Sequence, residues 1–298
     1  MRIVRQLLGA AIAAAVIASP AMAEELTGTL KKIKESGTIT LGHRDSSIPF
    51  SYLAGKPEPV GYSHDIQLAV VDALKKQLGT DIKVRYNLVT SQTRIPLVQN
   101  GTVDLECGST TNNTTRAKDV DFAINHFYTG TRLLVKKSAG IKDYADLKGK
   151  TVAVTAGTTN LQVLRKANAE HKWELEMVTP KDHADAFLPV QNDRAAAFGM
   201  DDILLFGLIS NSRSPADYEV VGQALQVEPY ACMVRKDDPK FKALVDGVIG
   251  NLMKSGQFTQ LYDKWFMQPI PPVNAALGLP MSTQLKQNLS DLSDKAAF

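Results

Sequence analysis

The chain has only two cysteines, Cys107 and Cys232, among its 298 residues. No C-x-x-C spacing occurs, so a thioredoxin-like redox centre or a ribbon-type zinc site has no support. In an oxidising compartment two cysteines can form one bridge, and two separate buried thiols are the other reading. An excess of charge is also missing. The formal net charge is +3, and acidic and basic residues alternate along the chain. A nucleic-acid binder needs a concentrated basic face, and a near-neutral total argues against one. Two catalytic signatures are absent as well: there is no G-x-S-x-G and no H-E-x-x-H. The five histidines, His43, His64, His126, His171 and His183, show no metal-ligand spacing. No pair of carboxylates stands out as acid and base at different strand ends, apart from the adjacent Asp201-Asp202. No cofactor is expected, and no metal.

Long apolar runs are confined to the amino terminus. Arg2 and Arg5 precede an apolar stretch over residues 7–18, followed by Pro20 and the small-residue triplet Ala21-Met22-Ala23. That order of charged head, apolar middle and A-x-A exit is that of a secretory signal peptide. The stretch falls short of the ~20 residues that a membrane span needs. Cleavage after Ala23 is expected, which lowers the formal charge to +1 and leaves about 275 residues. That length exceeds what one core usually holds and predicts two domains.

Strand-like and helix-like segments alternate through the rest, predicting an α/β fold with largely parallel sheets. Helices are expected over residues 30–36, 66–78, 94–100, 160–168, 184–191, 241–256 and 258–266. Strands are expected over residues 38–41, 82–89, 103–107, 132–135, 151–154, 176–178, 195–198, 219–221 and 230–234. In open α/β sheets, ligands sit beyond the carboxyl ends of the strands. The residues just after the predicted strands are therefore the candidates. They include Arg44; Ser91 and Arg94; Ser109 and Thr111; Thr158 and Thr159; His183; and Asp201 with Asp202. This set is rich in arginine, hydroxyls and helix-starting amides, with few carboxylates, and it favours an anion. Arginine makes two-pronged bonds to carboxylates, and a lone acid suits an ammonium group.

The segments Gly42-His43-Arg44, residues 90–96, Glu106-Cys107-Gly108-Ser109-Thr110-Thr111-Asn112-Asn113, Met200-Asp201-Asp202, Arg235-Lys236-Asp237-Asp238-Pro239 and Lys264-Trp265-Phe266 resemble the periplasmic glutamate/aspartate-binding proteins of ATP-driven (ABC) importers. The Gly-Ser-Thr-Thr-Asn-Asn and Lys181-Asp182-His183 stretches resemble the acidic-amino-acid branch in particular. The resemblance covers essentially the whole chain after the signal. It implies a two-lobed periplasmic-binding-protein fold, with two mixed or parallel sheets and two hinge crossings near residues 128–133 and 226–230. Lobe one is then 27–129 with 229–268, lobe two 130–228, and 269–298 a tail packing on the lobes. Cys107 and Cys232 both fall in lobe one, which favours the bridge.

The same resemblance implies roles for residues. Arg116 would grip an α-carboxylate, with help from Ser109, Thr111, Thr158 and Thr159. Asp201, ahead of Asp202, would take the α-ammonium. Arg44, Ser91, Arg94 and His183 would receive a side-chain carboxylate, with Phe50 or Tyr52 packing on the ligand. The implied protein is no enzyme. It is a periplasmic monomer that hands L-glutamate or L-aspartate to membrane permease subunits. Two other readings stand beside it: an enzyme on the same scaffold, resembling cyclohexadienyl dehydratase and recruiting His183 or Asp202, and an amino-acid sensor module.

Overall fold

Apolar residues at helical spacing put Tyr62, Ile66, Val70, Leu74 and Leu78 on one buried face of the helix Tyr62–Leu78. That helix stops at Gly79 (φ 60°), as Gly28–Ser36 stops at Gly37 (φ 63°). Glycine closes a last helical turn in this left-handed conformation without the strain a Cβ would bring. Both helices pack beside the strand Thr38–His43, in which Ile39 and Leu41 are fully buried.

The computed structural model describes residues 25–298; the signal-peptide expectation for residues 1–23 lies outside them. The strands form two main sheets, one in each of two lobes. In the first, the order is Lys83–Leu88, Thr38–His43, Leu105–Glu106, Met233–Arg235, Val120–Phe122. Its first three strands are parallel, and Met233–Arg235 runs antiparallel to both neighbours. In the second, Glu176–Val178, Thr151–Val154 and Ala197–Asp201 are parallel. The strand Phe127–Lys136 then runs antiparallel to both Ala197–Asp201 and Tyr218–Val221. A small antiparallel sheet joins Ser46–Ser47, Ser51–Leu53 and Pro59–Val60.

The ten-residue strand Phe127–Lys136 carries the chain from one lobe to the other. Its start packs in the aromatic cluster of Phe50, Tyr62, Tyr230 and Phe266. Its end, at Leu133 and Val135, sits in a second core with Val152, Val154, Leu161 and Leu164. The return strand Val227–Tyr230 pairs with it antiparallel, Val227 opposite Gly130 and Tyr230 opposite Phe127. The two crossings therefore brace each other, and the parallel strands of both sheets end beside them. The two-lobed α/β architecture expected from the sequence is the one observed.

Cys107, just past Leu105–Glu106, is bonded to Cys232, just before Met233–Arg235. Glu106 and Met233 are register partners, so the bridge fastens the returning chain to the strand end that leads into the Gly108–Asn113 loop. It closes a sequence separation of 125 residues, and both cysteines are fully buried. A Cys107→Ala/Cys232→Ala double variant should unfold in urea with a free energy lower by about 2–5 kcal/mol. Unchanged stability would mean that the bridge restrains nothing the sheet does not already hold.

Candidate functional site

The strand-end residues converge where the lobes meet. Arg44 follows the strand Thr38–His43 and has no solvent exposure. Its backbone N–H donates to Ser51 Oγ (2.9 Å), which orients it away from the strand. Its Nη2 donates to Asp182 Oδ2 at 3.1 Å and lies 3.3 Å from His183 Nε2. Arginine has no acceptor, so His183 Nε2 must be the acceptor and the ring proton sits on Nδ1. From there it donates to Thr155 Oγ1, 2.9 Å away. Burial and the Arg44 charge lower the His183 pKa to about 3, keeping the imidazole neutral.

Arg94, at the start of the short helix Arg94–Gln99, donates through Nη1 to Ser109 O (2.9 Å) and Thr110 Oγ1 (2.6 Å). Burial and the nearby Arg116 charge lower its pKa to about 9, which leaves it a cation at neutral pH. Ser91 is buried three residues upstream. The Ser109 hydroxyl meets Ser47 Oγ at 3.0 Å. Arg116, whose N–H is capped by Asn113 Oδ1, donates through Nη1 to Thr111 O (3.0 Å) and through Nη2 to Gly157 O (3.4 Å).

From the second lobe, Thr159 shares hydroxyl contacts with Thr111 Oγ1 (3.3 Å) and Glu228 Oε2 (2.9 Å). The Thr158 hydroxyl is occupied as a helix cap, accepting from Leu161 N and donating to Thr155 O. Gly157 must be glycine. A Cβ there would fall 2.5 Å from Gln92 Cγ and 2.9 Å from Gln92 N, beside Ser91. Its φ of 75° also disfavours any side chain. Asp201 accepts from Asn160 Nδ2 (2.7 Å) and Tyr230 OH (2.5 Å). Burial and the charge of Glu228 raise its pKa to about 8. Asp202 turns instead to Thr129 Oγ1 (2.6 Å) and takes no part in that cluster.

Several side chains that the sequence reading did not assign belong here. Asp182 caps the helix His183–Gln191 and also accepts from Arg44 and from the Ser46 hydroxyl. Ser46 Oγ in turn accepts from Ala184 N (3.1 Å). These bonds and the contacts of Arg116 and Thr111 cross between the lobes, so the cleft is closed. Glu106, Glu228, Thr110 and Tyr230 are fully buried in the same cluster. Glu228 sits on the return crossing, and Glu106 ends a strand in front of Gly108, a position that could have flagged it.

Two expectations are corrected. A lone acid among the arginines was expected, whereas Glu106, Asp182, Asp201 and Glu228 all line the cluster with Arg44, Arg94 and Arg116. The two crossing strands and the helix cap supply carboxylates that strand-end counting does not reach. Phe50 and Tyr52 were put forward to pack on a ligand. Phe50 instead lies edge-on to Tyr62, Phe127, Tyr230 and Phe266, and Tyr52 packs on Trp265 with its hydroxyl donating to Pro271 O (2.7 Å). Both rings belong to the core.

Charge balance therefore does not by itself call for an anion. Hydrogen bonding does. Arg44 Nε and Nη1, Arg94 Nε and Ser91 Oγ are buried and have no hydrogen-bond partner among the described residues. Buried donors are nearly always paired, and each one left unpaired costs about 1–3 kcal/mol. Three guanidinium donors and a hydroxyl in one cluster fit an acceptor-only group, and a carboxylate matches the guanidinium fork.

A model of the bacterial extracellular solute-binding proteins, family 3, matches residues 39–268. The chain is 56% identical over 299 residues to the L-glutamate/L-aspartate-binding protein of Pseudomonas aeruginosa, covering 100% of this chain and 99% of that one. It is 46% identical to the glutamate/aspartate import solute-binding protein of Escherichia coli, covering 97% and 95%. Among solved structures, an ancestral amino-acid-binding protein that is a precursor of cyclohexadienyl dehydratase matches with a TM-score of 0.68 and 30% identity, covering 80% and 99%.

The raised pKa of Asp201 has a consequence for stability. Between pH 4 and 8 the folded chain keeps the Asp201 proton, which the unfolded chain has lost. Asp201 therefore makes stability fall as pH rises through that window, by at most about 1.4 kcal/mol per pH unit. Urea unfolding of Asp201→Asn at pH 5, 6.5 and 8, without ligand, should show the variant gaining on the wild type as pH rises. Parallel pH profiles would contradict a protonated Asp201.

Proposed function

The chain belongs to family 3 of the bacterial extracellular solute-binding proteins, and from that premise we propose that it captures L-glutamate or L-aspartate between its lobes and delivers it to the permease of an ABC importer. The observation that carries the reading is the set of unpaired, buried donors on Arg44, Arg94 and Ser91. They are matched to the side-chain carboxylate, with neutral His183 at their edge. Arg116, Ser109, Thr111 and the Thr158-Thr159 helix start receive the α-carboxylate. Asp201, with Tyr230 and Glu228 behind it, receives the α-ammonium. An incoming ammonium favours ionised Asp201, so binding displaces the Asp201 proton at neutral pH. Lobe one is taken as residues 27–129 with 229–268, lobe two as 130–228, and 269–298 as the tail. We place the mature chain in the periplasm as a monomer.

This site discriminates by hydrogen bonding more than by net charge. A carboxamide would turn its own NH₂ toward Arg44, Arg94 and Ser91, setting donor against donor. A site built to bond one polar group rejects the analogue that cannot reciprocate. Glutamate and aspartate differ by one methylene, worth only about 1–3 kcal/mol, so both are accommodated. Closure brings Arg44, Arg94 and Arg116 of one lobe against His183 and Asp201 of the other. A ligand touching both sets holds the lobes shut, and the closed shape is what the permease meets.

An enzyme on the same scaffold would need a titrating group poised for proton transfer. His183 is neutral, with Nδ1 donating to Thr155 and Nε2 accepting from Arg44, and Asp202 faces Thr129. Neither is free to act on a substrate.

Calorimetric titration of the mature, ligand-free protein should give heat with L-glutamate and L-aspartate and little with L-glutamine. Preferential binding of glutamine would overturn the specificity. Arg94→Ala should weaken glutamate binding by roughly a hundredfold, about 2.7 kcal/mol, with a smaller loss of stability. An unchanged dissociation constant would remove Arg94 from the site.

A further inference from the structure

The loop Gly108–Asn113 carries Ser109 and Thr111 and leads to Arg116, and its two asparagines also meet the last residues of the chain. Asn112 Nδ2 donates to Asp294 O (2.8 Å), and Asn112 O accepts from Ala297 N (3.0 Å). Asn113 pairs with Ala297 in a parallel bridge, and the Thr114 N–H donates to Ala297 O (3.3 Å). On its other side Asn112 N donates to Pro229 O (2.8 Å) of the return crossing. The backbone that presents Thr111 and Arg116 is thus held between the crossing strand and the last residues of the chain.

The tail is itself anchored. Ser282 caps the helix Thr283–Asp291, whose Leu285 and Asn288 are buried. Asn288 Nδ2 donates to Asn125 O (2.7 Å), and Asn288 Oδ1 accepts from Ser293 N (2.8 Å). Asn125 grips the segment beyond: its N–H donates to Ser293 O (3.0 Å) and its Nδ2 to Lys295 O (2.9 Å). Asn125 Oδ1 accepts from Asn112 Nδ2 (3.0 Å), joining the anchor to the loop. Lys242 adds an ion pair to Asp294 at 2.8 Å. The family model ends at residue 268, so this buttress lies outside the part of the chain that the model describes.

We propose that residues 294–298 are a positioning element of the binding site: they fix the backbone of residues 112–114, and through it Thr111 and Arg116, so that they set affinity without touching the ligand. The inference rests on the loop's role in the reading above. Arg116 depends on this backbone twice. Its N–H is capped by Asn113 Oδ1, and its Nη1 donates to Thr111 O. A buried guanidinium aimed by two residues of one loop loses its aim when that loop is released. Residues that shape a site from behind without meeting the ligand shift affinity modestly, and about tenfold is expected here.

The test uses the mature chain, the chain lacking residues 294–298, and the milder Ala297→Pro, which removes the N–H that Asn112 O accepts and fixes φ at that position. In ligand-free protein, amide hydrogen exchange at residues 109–116 should quicken in both variants while exchange in the strands Thr151–Val154 and Ala197–Asp201 stays slow. The truncated chain should bind L-glutamate about tenfold more weakly. Arg116→Lys should then cost less in the truncated background than in the full chain, because its aim is already lost. Unchanged exchange at residues 109–116 in both variants, or truncation and Arg116→Lys losses that simply add, would overturn the proposal. If the intact chain fails to bind glutamate, the functional reading falls, and the exchange measurement still decides whether the tail holds the loop.

Discussion

Three guanidinium groups, Arg44, Arg94 and Arg116, lie buried in one cluster at the junction of two lobes. A buried charge is tolerated only where it is paired and hydrogen-bonded. The surroundings of these arginines follow from that constraint. Asp182 answers Arg44; Glu106, through Thr110, lies behind Arg94; Glu228 and Asp201 lie near Arg116. Backbone carbonyls of Ser109, Thr111 and Gly157 take further donors. After these bonds are counted, the donors that still lack partners are gathered on Arg44, Arg94 and Ser91. The protein neutralises its arginines and leaves their hydrogen bonding incomplete, and the proposed function rests on that remainder.

The fold makes such a cluster possible because it stacks strand ends. Parallel strands of both sheets point their carboxyl ends toward the paired crossings Phe127–Lys136 and Val227–Tyr230. Each loop leaving a strand then delivers one or two polar side chains to the same place. The disulfide and the tail act on the same loop from opposite ends: Cys107 fixes its entry to Cys232, and Ala297 fixes its far side at Asn112 and Asn113. Bonds from Asp182, Gly157 and Thr159 cross between the lobes and join the two halves of the site.

Much of this was legible in the sequence because strand ends are marked locally. An apolar run broken by a small or polar residue points to Arg44, Arg94, Ser109, Thr158 and Asp201, which the fold gathers where the lobes meet. Glycines read as helix stops, Gly37 and Gly79, stand in the left-handed conformation that role requires. What stayed hidden depends on partners distant in sequence. Asp182 caps a helix, and its second role needs Arg44, 138 residues away. Glu228 lies inside a crossing strand, where no strand-end rule points. The resemblance implied Phe50 or Tyr52 as the ring on the ligand; the aromatic core formed with Phe127, Trp265 and Phe266 holds both rings.

The proposed function requires a carboxylate on the ligand's side chain to complete the unpaired donors of Arg44, Arg94 and Ser91. A crystal structure of the glutamate-loaded protein tests it most directly. The account predicts the distal carboxylate oxygens within about 3 Å of Arg44 Nε or Nη1, Arg94 Nε and Ser91 Oγ, with the α-ammonium at Asp201. A bound glutamate whose distal carboxylate faces Asp201 and Glu228, with those donors still unpaired, would contradict it.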